Sequence, residues 1–401
     1  MFKNQPPFSG FWWFLQRKLL GYLCVMQFAD IIAQQEVKQR LIRSVKEERI
    51  SHAQLFLGPE GAGAFSLAVA YIQYILCEHK TDHDSCGQCA PCLKVSKLSH
   101  PDVHLSFPVI LSETKTSDGL IAEFRERSLE TPYMNYRYWL DSIEGNNKNG
   151  VIGVDESAGI LQKLVYKAYE AEYKFMLVWM AEHMNTQAAN KLLKIIEEPP
   201  EKTVFILIAE NPEDILPTIL SRCQVVKVPR LSDEQVEYAL VEKGLAPAEE
   251  ARSIATLAEG NFWEAQKQIT QIEENLERLD TFRQWMLFCF KKDVPGIIQF
   301  TDDLSAGGRE KLKILLSYSL YMFRQSIVAN YGGDELVHLR GSEREFVAKF
   351  ANYIHGSNIV ELTEAFDKAY YFLERNGNPK IVMFDLSLTA MKLINKQQVA
   401  K

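Results

Sequence analysis

The sequence predicts an α/β domain built on a parallel sheet, followed by a second half that is wholly helical. Three observations predict this. Residues 174–180 (Lys174-Phe175-Met176-Leu177-Val178-Trp179-Met180) and 203–209 (Thr203-Val204-Phe205-Ile206-Leu207-Ile208-Ala209) are continuous apolar runs, the pattern of strands covered on both faces. A glycine-rich loop, Gly58-Pro59-Glu60-Gly61-Ala62-Gly63, joins an apolar run at 55–57 to a helix-forming run at Ser66-Leu67-Ala68-Val69-Ala70. Beyond Pro229-Arg230-Leu231 the strand signals fade while helical spacing continues.

Taken in order, residues 30–48 place Ile31, Ile32, Val37, Leu41, Ile42 and Val45 at helical spacing and predict one amphipathic helix. A strand at 55–57, the glycine loop and a helix ending at Cys77 follow. A second strand begins at His100-Pro101-Asp102-Val103-His104-Leu105. Residues 111–150 are polar and irregular and predict a surface excursion with short helices. A helix is expected over 157–172, strands over 174–180 and 203–209, and a helix over 190–198 that stops at Pro199-Pro200. Ser232-Asp233-Glu234-Gln235 has the form of a capping box and opens a small helical segment with turns near Gly244 and Gly260. In residues 276–401, Leu312, Leu316, Leu320 and Phe323 mark one buried stripe, and Ile381, Phe384, Leu388 and Met391 another. Gly307-Gly308, Gly332-Gly333 and Asn376-Gly377-Asn378-Pro379 separate the helices.

A chain of 401 residues accommodates two or three domains. Its 45 basic and 52 acidic residues, a formal charge of -7, exclude a protein that coats nucleic acid by bulk electrostatics, leaving room only for a local basic face. Within residues 1–25 the apolar runs 11–15 and 19–25 are split by Gln16-Arg17-Lys18, short of the ~20 residues a membrane span requires. They are expected to be an extension outside the fold, which begins near Met26.

The motifs carry the chemistry. Gly58 and Gly63 occupy the glycine positions of the phosphate loop G-x-x-x-x-G-K-[ST], with Gly61 between them, but Ala64 stands where the lysine belongs and Phe65 where the Ser/Thr belongs. The lysine supplies charge to the β and γ phosphates and the hydroxyl coordinates magnesium; neither replacement can do this. Losing one charge pair at about 4 Å and an effective dielectric of about 20 removes on the order of 4 kcal/mol of gross attraction. Four of the seven cysteines crowd into Cys77-x8-Cys86-x2-Cys89-x2-Cys92, within a polar, turn-forming segment. Four thiolates at that spacing predict a closed, structural zinc site rather than disulfides. His79, His83 and His100 lie nearby as alternative ligands.

Asp30-Ile31-Ile32-x-Gln34, His52-Ala53-x-Leu55-Phe56-x-Gly58-Pro59-x-Gly61-x-Gly63, the cysteine cluster, Ala188-Ala189-Asn190-x-Leu192-Leu193-Lys194-x-x-Glu197-Glu198-Pro199-Pro200 and Ser221-Arg222-Cys223 together resemble the bacterial DNA polymerase III clamp-loader family. The resemblance implies an AAA+ α/β domain over residues 26–229 with the metal module at 77–92, a small helical lid over 230–275, and a helical collar over 276–401 through which five subunits assemble. It also implies where a motor subunit would carry its remaining groups. The acidic pair that holds magnesium falls on Trp179 and Met180, with Glu182 close by. The lid's phosphate-sensing arginine, in Gly260-Asn261-Phe262-Trp263-Glu264-Ala265, falls on Trp263.

These losses set the chain apart from the hydrolysing members and predict that it does not bind and turn over ATP itself. Ser221-Arg222-Cys223 is intact. In the family this arginine reaches a neighbouring subunit's nucleotide, a contribution worth roughly 10^3 to 10^5 in rate. The alternative for Arg222 is a simple ion pair at the surface, and Cys223 is expected to be a small packed residue. The implied partners are ATPase subunits of the gamma/tau type and a delta subunit, with the sliding clamp and primer-template DNA met through the complex, in the bacterial cytoplasm and without a membrane. An ATP-hydrolysing subunit with an unorthodox site, and a zinc-stabilised nucleic-acid-binding module, are the competing readings.

Overall fold

Five strands, each separated from the next by a crossover, form one parallel sheet in the order β2-β3-β4-β1-β5. They are β1 (Ala53–Leu57), β2 (Val103–Ser106), β3 (Lys174–Val178), β4 (Thr203–Ala209) and β5 (Gln224–Lys227). The computed structural model describes residues 26–143, 148–331 and 341–396. The expected extension at 1–25 and the Gly332-Gly333 turn lie outside them. The chain divides into two compact units between residues 269 and 270.

In the first unit, strand alternation sorts the core into two layers. Phe56, Val204, Ile206 and Ile208 face one side, with every residue of α2 (Ala64–Leu76) buried there. Ala53, Leu55, Phe205 and Leu207 face the other, with residues of α6 (Val154–Val165) and α7 (Thr186–Glu197). This two-sided burial is why residues 203–209 read as an uninterrupted apolar run. The register pairs Leu57 with Ala209, so β1 and β4 end side by side at the carboxyl edge, where open α/β sheets hold their ligands.

Several expectations are corrected. The helix expected over 30–48 is α1 (Gln35–Lys46), preceded by a 3-10 turn at Phe28–Asp30. Ala33 and Gln34 have φ of 50° and 60°, left-handed values that break the helical path despite the apolar spacing. In segment 111–150, described over 111–143 and 148–150, the expected short helices form, but part of the segment is core rather than surface. Its helices α4 (Ile121–Glu130) and α5 (Tyr136–Ser142), which follow the short α3 (Ala90–Ser96) in the chain, bury Phe124, Trp139 and Leu140 completely. Two large aromatics outweigh the polar residues around them. The helix expected over 157–172 runs from 154 and stops at Val165, where the Lys174 ammonium donates to the Leu164 and Tyr166 carbonyls. The helix expected from 190 starts at Thr186, capped by the Asn185 side chain. β5 was not legible, being four residues long with one buried side chain.

After β5 and the one-turn α8 (Pro217–Leu220) that precedes it, the capping box forms as read. Ser232 Oγ accepts from the Gln235 N–H and Gln235 Oε1 from the Ser232 N–H, opening α9 (Asp233–Glu242). α10 (Ala248–Ala258) and the start of α11 (Phe262–Lys291) follow the turns at Gly244 and Gly260.

The second unit holds the rest of α11, α12 (Val294–Ala306), α13 (Arg309–Tyr331), α14 (Gly341–Phe350), α15 (Ile359–Glu374) and α16 (Pro379–Ile394). Its core gathers Phe282, Trp285, Leu312, Leu316, Phe323, Phe366 and Met383. Trp285 Nε1 donates to Ser387 Oγ at 2.9 Å, which satisfies the indole in an apolar interior. The first stripe holds, with Leu312, Leu316 and Phe323 buried and Leu320 packed at its margin. The second holds in part: Phe384 and Met391 pack at the core's margin, Met383, Leu386 and Ala390 are the buried residues, and Ile381 is 68% exposed. Pro379 starts that helix, so Ile381 lies in its first turn, away from the buried side.

Candidate functional site

The glycine loop leaves β1 at Gly58, whose N–H donates to the Ala209 carbonyl at 3.1 Å. Gly61 and Gly63 adopt φ of +73° and +85°, which glycine takes at no steric cost. The space beside both is filled. A Cβ on Gly61 would stand 2.0 Å from Asn261 Oδ1, and one on Gly63 would stand 2.6 Å from the Tyr133 ring. Phe262 donates its N–H to the Gly61 carbonyl at 3.4 Å, and Asn261 Nδ2 donates to Glu60 Oε1 at 3.0 Å. Tyr133 and Phe262 rings meet at 5.0 Å. Ser66 Oγ, in the first turn of α2, donates to the Pro132 carbonyl at 2.8 Å.

Ala64 and Phe65 are buried at the start of α2. The Phe65 ring lies 5.9 Å from Phe124 and 6.5 Å from Trp179, and Phe124 and Trp179 are 5.4 Å apart. Phe107 stacks on Phe124 at 4.0 Å, and Trp139 meets both edge-on. The structure thus brings together positions 65 and 179, far apart in sequence, within one aromatic cluster. Met180 beside them is buried with φ of +55°. Trp263 packs against Tyr138 at 4.8 Å.

Two carboxylates, Glu182 and Glu210, follow β3 and β4 in the chain. Glu182 Oε1 accepts from the Glu210 N–H at 2.8 Å, while its Oε2 is buried without a hydrogen-bond partner. Burial pushes the Glu182 carboxyl up, and burial with the charges of Glu182 and Glu60 pushes Glu210 up to about 8. These carboxyl groups bring the loop no positive charge with which to hold a polyanion. Glu210 and Tyr133 escaped the sequence reading: Tyr133 sits in a polar stretch without periodicity, and Glu210 simply ends an apolar strand.

Arg222 lies on the turn between α8 and β5, with its side chain 32% exposed. Its Nε donates to Glu197 Oε2 at 2.8 Å and its Nη1 to the Thr218 carbonyl at 3.0 Å. Glu197, at the end of α7, is itself exposed, and such pairs are worth about 0–1 kcal/mol. The guanidinium is thus tied to one carboxylate and one backbone carbonyl. Ser221 Oγ donates to the Thr218 carbonyl. Cys223 packs against the core, and burial pushes its thiol up to about 11, as suits a packing residue.

Cys77, Cys86, Cys89 and Cys92 form a four-sulfur cluster, all within 4.8 Å of one another. Cys86 and Cys92 sulfurs are 4.0 Å apart, as are those of Cys77 and Cys89. A tetrahedral ion with sulfur ligands at about 2.3 Å sets its sulfurs about 3.8 Å apart, so the arrangement fits one metal ion. Backbone N–H groups already point at the sulfurs: Cys86 N at Cys77 and Cys89 N at Cys86, at 3.2 and 3.3 Å. Hydrogen bonds from Gln88 and Cys89 bring the Cys86 thiol down to about 6, while burial raises Cys77 and Cys92. None of the described cysteines is in a disulfide. The histidines stand apart from the sulfurs: His79 and His83 are exposed, and His100 pairs with Glu170 at 3.3 Å. Among the described residues no helix is long and apolar enough to cross a membrane.

The sequence profile of a family described as DNA polymerase III, delta subunit, matches residues 33–232. The tau subunit of DNA polymerase III from Bacillus subtilis is 23% identical, over 93% of this chain and 63% of its own length. The delta' subunits of Bacillus subtilis and Pseudomonas aeruginosa are 28% and 29% identical, over 53% and 57% of this chain and 53% and 61% of theirs. The chain therefore spans between about half and two thirds of the length of these relatives.

Proposed function

We propose that this chain, which belongs to the DNA polymerase III clamp-loader family, is a subunit of the delta-prime type, one that holds the loader together without hydrolysing ATP. The observation that carries this reading is the aromatic cluster at Phe65 and Trp179. A motor subunit needs a hydroxyl and a carboxylate at those two places to share one magnesium. Here they share one apolar core, and no small side-chain movement reopens the site. Ala64 without charge, Trp263 without charge, and Tyr133 and Asn261 against the glycines all support the same conclusion.

Arg222 gives the subunit its part in the chemistry. Held by one surface ion pair and one backbone carbonyl, the guanidinium swings from Glu197 and Thr218 to a neighbouring subunit's triphosphate and stabilises transition-state charge there, as a finger supplied in trans. The α/β domain at 26–229 would carry that surface, the helices at 230–275 a lid, and those at 276–401 the collar for assembly with gamma/tau-type ATPases and a delta subunit. The whole complex, in the bacterial cytoplasm, would meet the sliding clamp and primer-template DNA. The four cysteines would hold zinc as a closed structural site, with no coordination position left for water.

Reconstitution with gamma/tau-type and delta subunits tests the reading. Arg222→Ala is expected to leave the assembled mass unchanged and to lower the DNA-stimulated ATPase of the complex. An unchanged rate would sink the finger. The competing reading, a motor subunit with an atypical site, is favoured by the tau relative's alignment over nearly the whole chain. Micromolar ATP affinity with magnesium-dependent turnover by the lone chain would establish it instead.

A further inference from the structure

The metal module does more than close its own loop. Cys86 lies between three residues that touch the segment just after Met26. The Asp84 carboxylate accepts from the Phe28 and Ala29 N–H groups at 3.0 and 2.8 Å, and from the Ser85 N–H at 2.7 Å. Gln27 Nε2 donates to the Ser85 carbonyl, and the fully buried Gln73 donates to Ser85 Oγ at 3.0 Å. Gly87, at φ of +69°, lies against Gln27: a Cβ there would be 2.8 Å from Gln27 Oε1.

The held segment then runs straight to the glycine loop. The Lys38 ammonium donates to the Ile31 carbonyl at 2.6 Å, and the Ile32 N–H donates to the Tyr133 hydroxyl at 3.0 Å. Gln34 is buried, and its Nε2 donates to the Pro229 carbonyl at 2.7 Å and the Ala62 carbonyl at 3.3 Å. Ala33 and Gln34 take successive left-handed backbones, a costly geometry that persists only where surroundings over-determine it. Pro229 is where the chain leaves the sheet for α9, and Tyr133 is the ring against Gly63.

We infer that the four-cysteine metal centre acts, through Asp84 and Ser85, as the anchor that fixes residues 27–34 and with them the closed glycine loop and its joint to the helices at 233–258. Asp84 is a positioning residue: it is not among the clustered sulfurs, yet it is tied to Cys86 through one intervening residue. Fixing the Cys86 sulfur on an ion fixes the turn that presents Asp84 and Ser85. Releasing it frees that turn, and the strap 27–34 loses its charge-assisted hydrogen bonds.

The test is hydrogen exchange on the full chain, reduced and zinc-loaded, against chain stripped with 1,10-phenanthroline, and against zinc-loaded Asp84→Ala. Loss of the metal is expected to speed exchange at Phe28, Ala29 and Ile32 and within residues 58–63 by about tenfold or more, the equivalent of one lost charge-assisted hydrogen bond. Asp84→Ala should reproduce this at one zinc per chain by elemental analysis. Faster exchange confined to residues 77–96 in the stripped chain, with Asp84→Ala unchanged at residues 28–34, would overturn the inference. If the stripped chain unfolds as a whole, the zinc-loaded variant decides alone: tenfold faster exchange in the strap supports the anchor, and native protection refutes it.

Discussion

The end of the sheet at the glycine loop and the turn at Arg222 are built in opposite ways. At the loop, the groups are large, apolar and interlocked: Phe65, Phe124 and Trp179 in one cluster, Tyr133 and Asn261 against the glycines. At the turn, one guanidinium is held by one exposed carboxylate and one carbonyl. The difference teaches how one scaffold can commit one place to packing and leave a charged group at the surface in another. A buried aromatic cluster commits a site to packing, because any polar replacement leaves both a cavity and an unpaired group. An exposed ion pair commits nothing, because leaving it costs little.

Breaking the comparison from its buried side should produce the largest effects. Trp179→Asp, which puts a carboxylate where the family resemblance expects one, is expected to destabilise the chain by about 4–5 kcal/mol or more, through a cavity plus a buried charge. The urea midpoint checks it, and a midpoint near wild type would mean that the cluster is not packed as described. The double change Ala64→Lys with Phe65→Thr should cost about 3 kcal/mol and still give no ATP binding by equilibrium titration, since Tyr133 and Asn261 occupy the loop. Tight binding by that variant would show that only two residues separate this loop from a nucleotide site.

The carboxylates offer a finer test. Glu210 folds with its carboxyl raised to about 8 from an ordinary 4.5. The protonated form is therefore favoured in the folded state. Stability linked to it is fully present below about pH 4.5, falls as the pH rises, and is lost above about pH 8. Glu210→Gln should raise stability by on the order of 1–2 kcal/mol at pH 8.5 and leave it unchanged near pH 4. Thermal melts at the two values distinguish this from a uniform gain. The smallest effect belongs to the exposed side: Glu197→Ala should move stability by no more than about 0.5 kcal/mol, measured in the same denaturation series. A larger loss would mean that Arg222 is structurally fixed and unavailable to a neighbour.

Much of this was legible in the sequence, and the reasons are specific. β4 matches residues 203–209 because all seven are buried between Lys202 and Glu210, whereas β3, equally buried, ends at Val178, two residues short of the run at 174–180, because Met180 turns left-handed. The capping box at Ser232 and the cysteine spacing were read correctly because both are local, set by residues within one turn or one loop. The start of α1 was misread because Ile31 and Ile32 have helical spacing but belong to a strap whose path is fixed by Asp84, Tyr133 and Pro229, all distant in sequence. Phe124 and Trp139 lie in a stretch whose polarity predicts mostly surface, because periodicity cannot show a lone aromatic buried among polar neighbours.

By itself, the sequence determined which groups are present: a glycine loop followed by Ala64 and Phe65 and not by lysine and a hydroxyl, a tryptophan at 179, four thiols at metal spacing, an arginine after a serine. Only the tertiary structure decided what fills the places left. It put Phe65 beside Trp179 through Phe124, set Tyr133 and Asn261 against the glycines, and tied the cysteine loop to the strap at 27–34. Those outcomes rest on contacts between residues tens to hundreds of positions apart. Side-chain volume and hydrogen-bond satisfaction select such contacts, and no local pattern encodes them.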